Sequence, residues 1–99
     1  LTDNKTHLSR FERMETLLKT AFTPSVFELQ DQSRFHAGHA GASPGGETHY
    51  KLSLVSTAFE GLNRVARQRL VYQALHEEFD TGLHALSLDL KTPAEAGSA

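Results

Sequence analysis

Three of this chain's six histidines fall in or beside one short segment. FHAGHAG (Phe35–Gly41) carries His36 and His39 three residues apart, and the following SPGGETH ends on His49. A neutral imidazole ligates iron, zinc or copper, and its second ring nitrogen is normally held by an acceptor. An H-x-x-H pair in a glycine-rich loop is equally the polar content of a mobile segment, or an adventitious zinc or nickel site. His84 opens HALSLDL in phase with Leu86, Leu88 and Leu90. On residue type alone it is as well read as a hydrogen-bonded edge histidine as a ligand. His49 heads its own alternating segment, where it either positions the loop or reaches the same site. His7 and His76 read as solvent-facing.

Other chemistries have little support. The absence of cysteine excludes disulfides, thiol catalysis and thiolate ligands from these residues, and fits a reducing compartment. Asp31, Ser33 and a histidine are close in sequence, but nothing orders them into a triad. There is no nucleophile elbow, no phosphate loop after a strand, and no carboxylate pair set to split its pKa values. An enzyme is not expected. A net charge of −2 and a pI near 6.3 give no general attraction to nucleic acid or anionic membrane. Arg64, Arg67 and Arg69 form a local basic stretch; Arg69 falls on the outer face of its helix, whereas Arg67 turns inward, where its guanidinium can meet a carboxylate. GHAG (Gly38–Gly41) resembles an RNA-clamping turn but lies between two strands rather than two helices. No apolar run approaches the roughly 18–20 residues of a membrane helix. No signal-peptide pattern opens the 99 residues, which begin at Leu1 rather than methionine, as in a processed chain.

The elements that must position these residues follow from periodicity. Ser9 with Glu12 makes a capping box, and Phe11, Met14, Leu17, Leu18 and Ala21 form a helical stripe that Pro24 ends. VFELQDQS (Val26–Ser33) alternates as a half-buried strand with Phe27 and Leu29 inward. Residues 34–48 are a long loop, of a length more often functional or mobile than accidental. HYKLSLVS (His49–Ser56) is a second strand with Tyr50, Leu52 and Leu54 inward. A second helix is expected from Asn63 to about Phe79, its inner stripe being Leu70, Val71, Ala74, Leu75 and Phe79. HALSLDL (His84–Leu90) is a third strand, and a short turn can follow Pro93. Residues 1–8 and 92–99 read as tails around one domain, 9–91. The order helix, strand, strand, helix, strand predicts a two-layer α+β sandwich. Strands 1 and 2 pair antiparallel and strands 2 and 3 parallel by a right-handed crossover, which makes a three-stranded mixed sheet with two main helices on one face.

HAGHAG…GGETHY, LVSTAFEG, RQRLVYQAL…E, HALSL and TPAE, in this order from roughly Phe11 to Glu95, resemble the successive motifs of the BolA family. The resemblance implies a fold like the type II KH domain. It also implies a partner, a monothiol glutaredoxin, with which BolA proteins form heterodimers that bridge a [2Fe–2S] cluster in iron–sulfur trafficking and iron regulation. The cluster ligands it implies are His84 and one loop histidine: His36 counting from Ser33, which is preferred, or His39 counting back from GGETH. The glutaredoxin cysteine and a glutathione thiolate would complete the set, and no cluster is expected in the isolated chain, a monomer or weak homodimer. Two nitrogen ligands should raise the potential, as in Rieske centres. Binding should weaken as pH falls through the imidazole range. Bacterial BolA proteins also act as DNA-binding regulators of morphology and stress, the alternative function here, through Arg64, Arg67 and Arg69. The family's QRHRL-like stretch is Ala66-Arg67-Gln68-Arg69-Leu70 in this chain, and its TPxEW ending is Thr92-Pro93-Ala94-Glu95-Ala96. The lost tryptophan suggests a looser C-terminal turn. The loop resembles those of α-proteobacterial and organellar members, so a bacterial cytoplasm, or alternatively a mitochondrial or plastid matrix, is expected.

Overall fold

The computed structural model describes residues 8–32 and 49–97. Helix α1 (Arg10–Phe22) is started by the expected box. Ser9 Oγ accepts from the Glu12 amide at 3.2 Å, and Glu12 Oε1 accepts from the Ser9 amide at 3.1 Å. It ends at Thr23, which adopts a left-handed φ of 39° and donates its N–H to the Lys19 carbonyl. That conformation is uncommon for a β-branched residue, and Pro24 behind it prevents the helix from continuing.

Strands β1 (Val26–Asp31), β2 (His49–Val55) and β3 (Ala85–Lys91) form one sheet with β2 in the centre. β1 pairs antiparallel with β2 from Val26 opposite Val55 to Asp31 opposite Tyr50. β2 pairs parallel with β3 from His49 opposite Ala85 to Val55 opposite Lys91. Tyr50, Leu52 and Leu54 are buried from the central strand, and Met14, Leu18 and Phe22 meet them from α1. Val71 and Leu75 close the same core from the crossover, with Phe59 in the connecting 3-10 turn Thr57–Phe59 packed against Phe22, the rings tilted and their centroids 5.3 Å apart. Ser56 is buried with its hydroxyl satisfied: it donates to the Phe22 carbonyl at 2.6 Å and accepts from the Ala58 amide. The expected α+β sandwich with a mixed sheet is the fold, with short helices added to the two main ones.

Three local expectations are corrected. The buried line of α1 is Arg10, Met14, Leu18 and Phe22 at strict four-residue steps, whereas Leu17 is 39% exposed. The expected second helix is two: α2 (Arg64–Ala74), with Asn63 as its N-cap, and α3 (His76–Asp80). The break falls at fully buried Leu75, whose φ of −108° and ψ of 15° leave the helical region. It turns Phe79 edge-on to Tyr72 and Glu78 toward α1. No glycine or proline marks that break, so periodicity passed over it. Finally, β1 stops at Asp31, two residues short of Ser33.

Candidate functional site

His84 lies immediately before β3. Leu83 is buried, its amide donating at 2.8 Å to the Glu78 carbonyl, and ladder pairing begins at Ala85. The chain is thus held on both sides of an exposed imidazole. By parity His84 belongs with Leu86 on the core side, but it precedes the ladder and faces solvent, unlike the core-side placement read from HALSLDL. Its ring stacks on that of half-buried His49, with centroids 5.9 Å apart and planes 30° from parallel. His49 opens β2 opposite Ala85, and its carbonyl accepts the Gln32 amide at 2.7 Å. Gln32 and His49, the described residues on either side of 33–48, are therefore bonded to each other at this end of the sheet. His36 and His39 lie in that segment, outside the described residues, as does His7. Among the described residues no group of three or more His, Cys, Asp or Glu converges as a metal site. What the described chain offers is a pair of imidazoles.

At the other end of β3 the basic stretch is divided. Asn63 Oδ1 caps α2 through the Ala66 amide at 2.9 Å, and Arg64 and Arg69 are exposed. Arg67 turns inward, its side chain 13% exposed, and Nη1 and Nη2 donate to Glu95 Oε1 and Oε2 at 2.6 and 3.2 Å. Its Nε donates to the Leu62 carbonyl and Nη1 also to the Leu90 carbonyl of β3. This is the kind of carboxylate contact that its inward position on the helical wheel allowed. Gln68 is half-buried beside it.

Glu95 belongs to a short helix, α4 (Pro93–Gly97). Thr92 and Glu95 cap it reciprocally: Thr92 N–H donates to Glu95 Oε1 at 2.8 Å, and Glu95 N–H donates to Thr92 Oγ1 at 3.2 Å. Pro93 takes the first helical position, where a missing N–H costs nothing. The turn is thus tied rather than loose, although Ala96 stands where a tryptophan was expected. The Arg67 hydrogen bonds, with the backbone bond from Thr92, hold the Glu95 carboxyl at about 2 against an ordinary 4.5, and Glu95 in turn raises Arg67.

A third group was not visible as a site in the sequence. Arg10 is buried in α1 and donates through Nη1 to Glu78 Oε1 at 2.7 Å, the Glu78 carbonyl at 2.9 Å and Thr81 Oγ1 at 3.1 Å. Its Nη2 donates to the Thr81 carbonyl at 3.0 Å. Arg13 grips the same carboxylate, Nε to Oε2 at 2.9 Å and Nη2 to Oε1 at 3.0 Å. The one available signal was phase: Arg10 is four residues before Met14, and Glu78 three after Leu75, each in line with a buried apolar residue.

Residues 18–95 match the family described as BolA-like protein. The chain belongs to that family. It is 48% identical over 92 residues to Protein BOLA1, chloroplastic, of Arabidopsis thaliana, covering 91% of this chain and 58% of that protein. It is 46% identical over 91 residues to SufE-like protein 1, chloroplastic/mitochondrial, of the same plant, covering 88% of this chain and 24% of that protein. The chain thus spans about three-fifths of the first relative and a quarter of the second. Among solved structures, BolA1 from Arabidopsis thaliana superposes with a TM-score of 0.80 at 48% identity, covering 89% of this chain and 96% of that one. The BolA domain of SufE1 from the same plant gives 0.79 at 45% identity, over 89% and 96%. As a BolA protein, the chain carries its imidazole pair at one end of β3 and its tied arginine at the other.

Proposed function

We propose that this BolA-family protein is a non-catalytic adaptor that pairs with a monothiol glutaredoxin and shares a [2Fe–2S] cluster with it, in iron–sulfur trafficking or iron regulation. The observation that carries this reading is the placement of exposed His84 against His49, at the sheet end where Gln32 and His49 flank 33–48. The donor set fits such a group. The chain has no cysteine, its described residues bring only two imidazoles together, and an incomplete nitrogen set suits a cluster completed by a partner's thiolates. His84 would be one ligand and His36 the other, with His39 the alternative and His49 an auxiliary residue that orients His84. When bound, the cluster supplies one-electron chemistry and transferable iron and sulfide. This chain's own residues would offer ring nitrogens, with His84 held between buried Leu83 and the ladder that begins at Ala85. The names of the plant relatives favour a plastid or mitochondrial compartment over a bacterial cytoplasm.

The test is visible absorption and circular dichroism of this chain mixed with a monothiol glutaredoxin, glutathione, ferrous iron and sulfide. A heterodimer spectrum distinct from the glutaredoxin homodimer, lost in His84→Ala, is expected. The His36→Ala and His39→Ala lanes decide the loop ligand. An unchanged homodimer spectrum with the wild-type chain overturns the reading.

A second reading, DNA-binding regulation, is favoured by one observation: Arg64 and Arg69 are exposed on a helix whose residues include no acid. Engagement of Arg67 by Glu95 weakens it. With two free arginines the affinity should fall with a log–log salt slope of only about −2. A salt-independent or undetectable complex with duplex DNA would remove this alternative.

A further inference from the structure

Apart from the histidine pair, α1 carries a buried ion network. Arg10 does more there than neutralise a carboxylate. Its guanidinium donates to Thr81 at the side-chain hydroxyl and at the backbone carbonyl, and to the carboxylate and carbonyl of Glu78. That same Glu78 carbonyl accepts the amide of Leu83. The guanidinium therefore spans the turn that ends α3 and delivers the chain to His84. Gly82 sits in the turn with a φ of 131°, and a Cβ there would stand 3.0 Å from Arg10 Nη2. The glycine is what lets the guanidinium approach the backbone this closely.

We propose that Arg10, acting with Glu78, is a positioning residue for His84: it fixes the Thr81–Leu83 turn, and thereby the direction in which the imidazole leaves the sheet and meets His49. This rests on the reading of His84 as a ligand and adds to it a residue on another element. A ladder that begins at Ala85 cannot itself orient the preceding side chain. Downstream of His84, β2 holds the backbone; upstream, the hold comes from Arg10 and from the Leu83 anchor. Groups that orient a metal ligand act on affinity through geometry, and their loss typically weakens binding by about 10–100-fold. Arg13 contributes charge to Glu78 but makes no contact with the turn among the bonds described, so the two arginines should be separable.

The experiment compares wild type, Arg10→Lys and Gly82→Ala. Lysine keeps a charge for Glu78 but has a single nitrogen, so it cannot make the contacts of Nη1 and also the Nη2 bond to the Thr81 carbonyl. The alanine Cβ pushes on the guanidinium from the other side. The readout on the isolated chain is the nuclear Overhauser contact between the His49 and His84 rings, with hydrogen exchange of the β2 and β3 amides recorded on the same samples. The expected result is loss of the ring contact in both variants while the amides stay protected, together with a heterodimer affinity for the glutaredoxin cluster lower by about tenfold. Persistence of the ring contact in both variants overturns the proposal. So does its loss only where β2–β3 protection is lost too, since the role would then be general stability. If the wild-type chain forms no mixed cluster, the ligand reading fails on its own, and the ring contact still decides whether Arg10 positions His84.

Discussion

Arg10 and Arg67 each gather one carboxylate and several backbone carbonyls at opposite ends of β3, yet they stand in different media. The Arg10–Glu78 pair is walled in, with side-chain exposures of 10% and 6%, and Arg13 adds a second cation. The Arg67–Glu95 pair couples a covered arginine to a carboxylate that is 49% exposed. Desolvation makes the first pair costly to form and costlier to break singly, because the remaining charge stays buried. Water and salt screen the second. One clamp bonds the turn before His84, the residue proposed as a ligand. The other ties a short helix over the Leu90 carbonyl at an open sheet edge. The same chemistry serves as a rigid mount in one place and a titratable latch in the other.

Breaking the buried clamp should have the largest effect. Glu78→Ala leaves Arg10 buried without this carboxylate and should destabilise the fold by about 3–5 kcal/mol in urea unfolding; a loss no larger than that of a surface pair would erase the contrast. Gly82→Ala tests the approach rather than the charge. It forces a side chain into a positive-φ position and against the guanidinium, at an expected cost of about 1–3 kcal/mol.

The latch is sharpened by pH and salt. Because the folded Glu95 carboxyl is depressed to about 2 from an ordinary 4.5, its contribution is fully present above that ordinary value and is lost as pH falls through the folded one. The melting difference between wild type and Glu95→Gln should be constant from neutrality down to roughly pH 4.5 and should close near pH 2. It should shrink with added salt, whereas the Glu78→Ala difference should not. The smallest effect sets the baseline. Lys19→Gln removes the exposed pair with Glu15, 3.0 Å long in α1, and should cost about 0.3–0.5 kcal/mol.

Much of this was legible in the residues themselves. Local rules act between near neighbours, so the Ser9–Glu12 box, the stop at Pro24 and the alternation of Tyr50, Leu52 and Leu54 could be read directly and stand as expected. The mixed sheet followed because two amphipathic helices and three half-apolar strands have few ways to bury their faces. The motif order identified the family, and the wheel of α2 turned Arg67 inward, where a carboxylate could meet it. What could not be read is what depends on distant parts of the chain meeting. Arg10 and Glu78 are 68 residues apart, and an arginine in an apolar phase reads as a solvated exception until its partner is seen. The kink at Leu75 has no glycine or proline to announce it in the sequence. His84 looked inward by parity, but parity governs only residues within a ladder, and the ladder starts one residue later. The sequence alone thus determined the main elements, their order and the donor atoms on offer. Only the tertiary structure decided which charges are buried, and which way His84 faces, since burial and direction are properties of surfaces that do not exist until the chain has closed on itself.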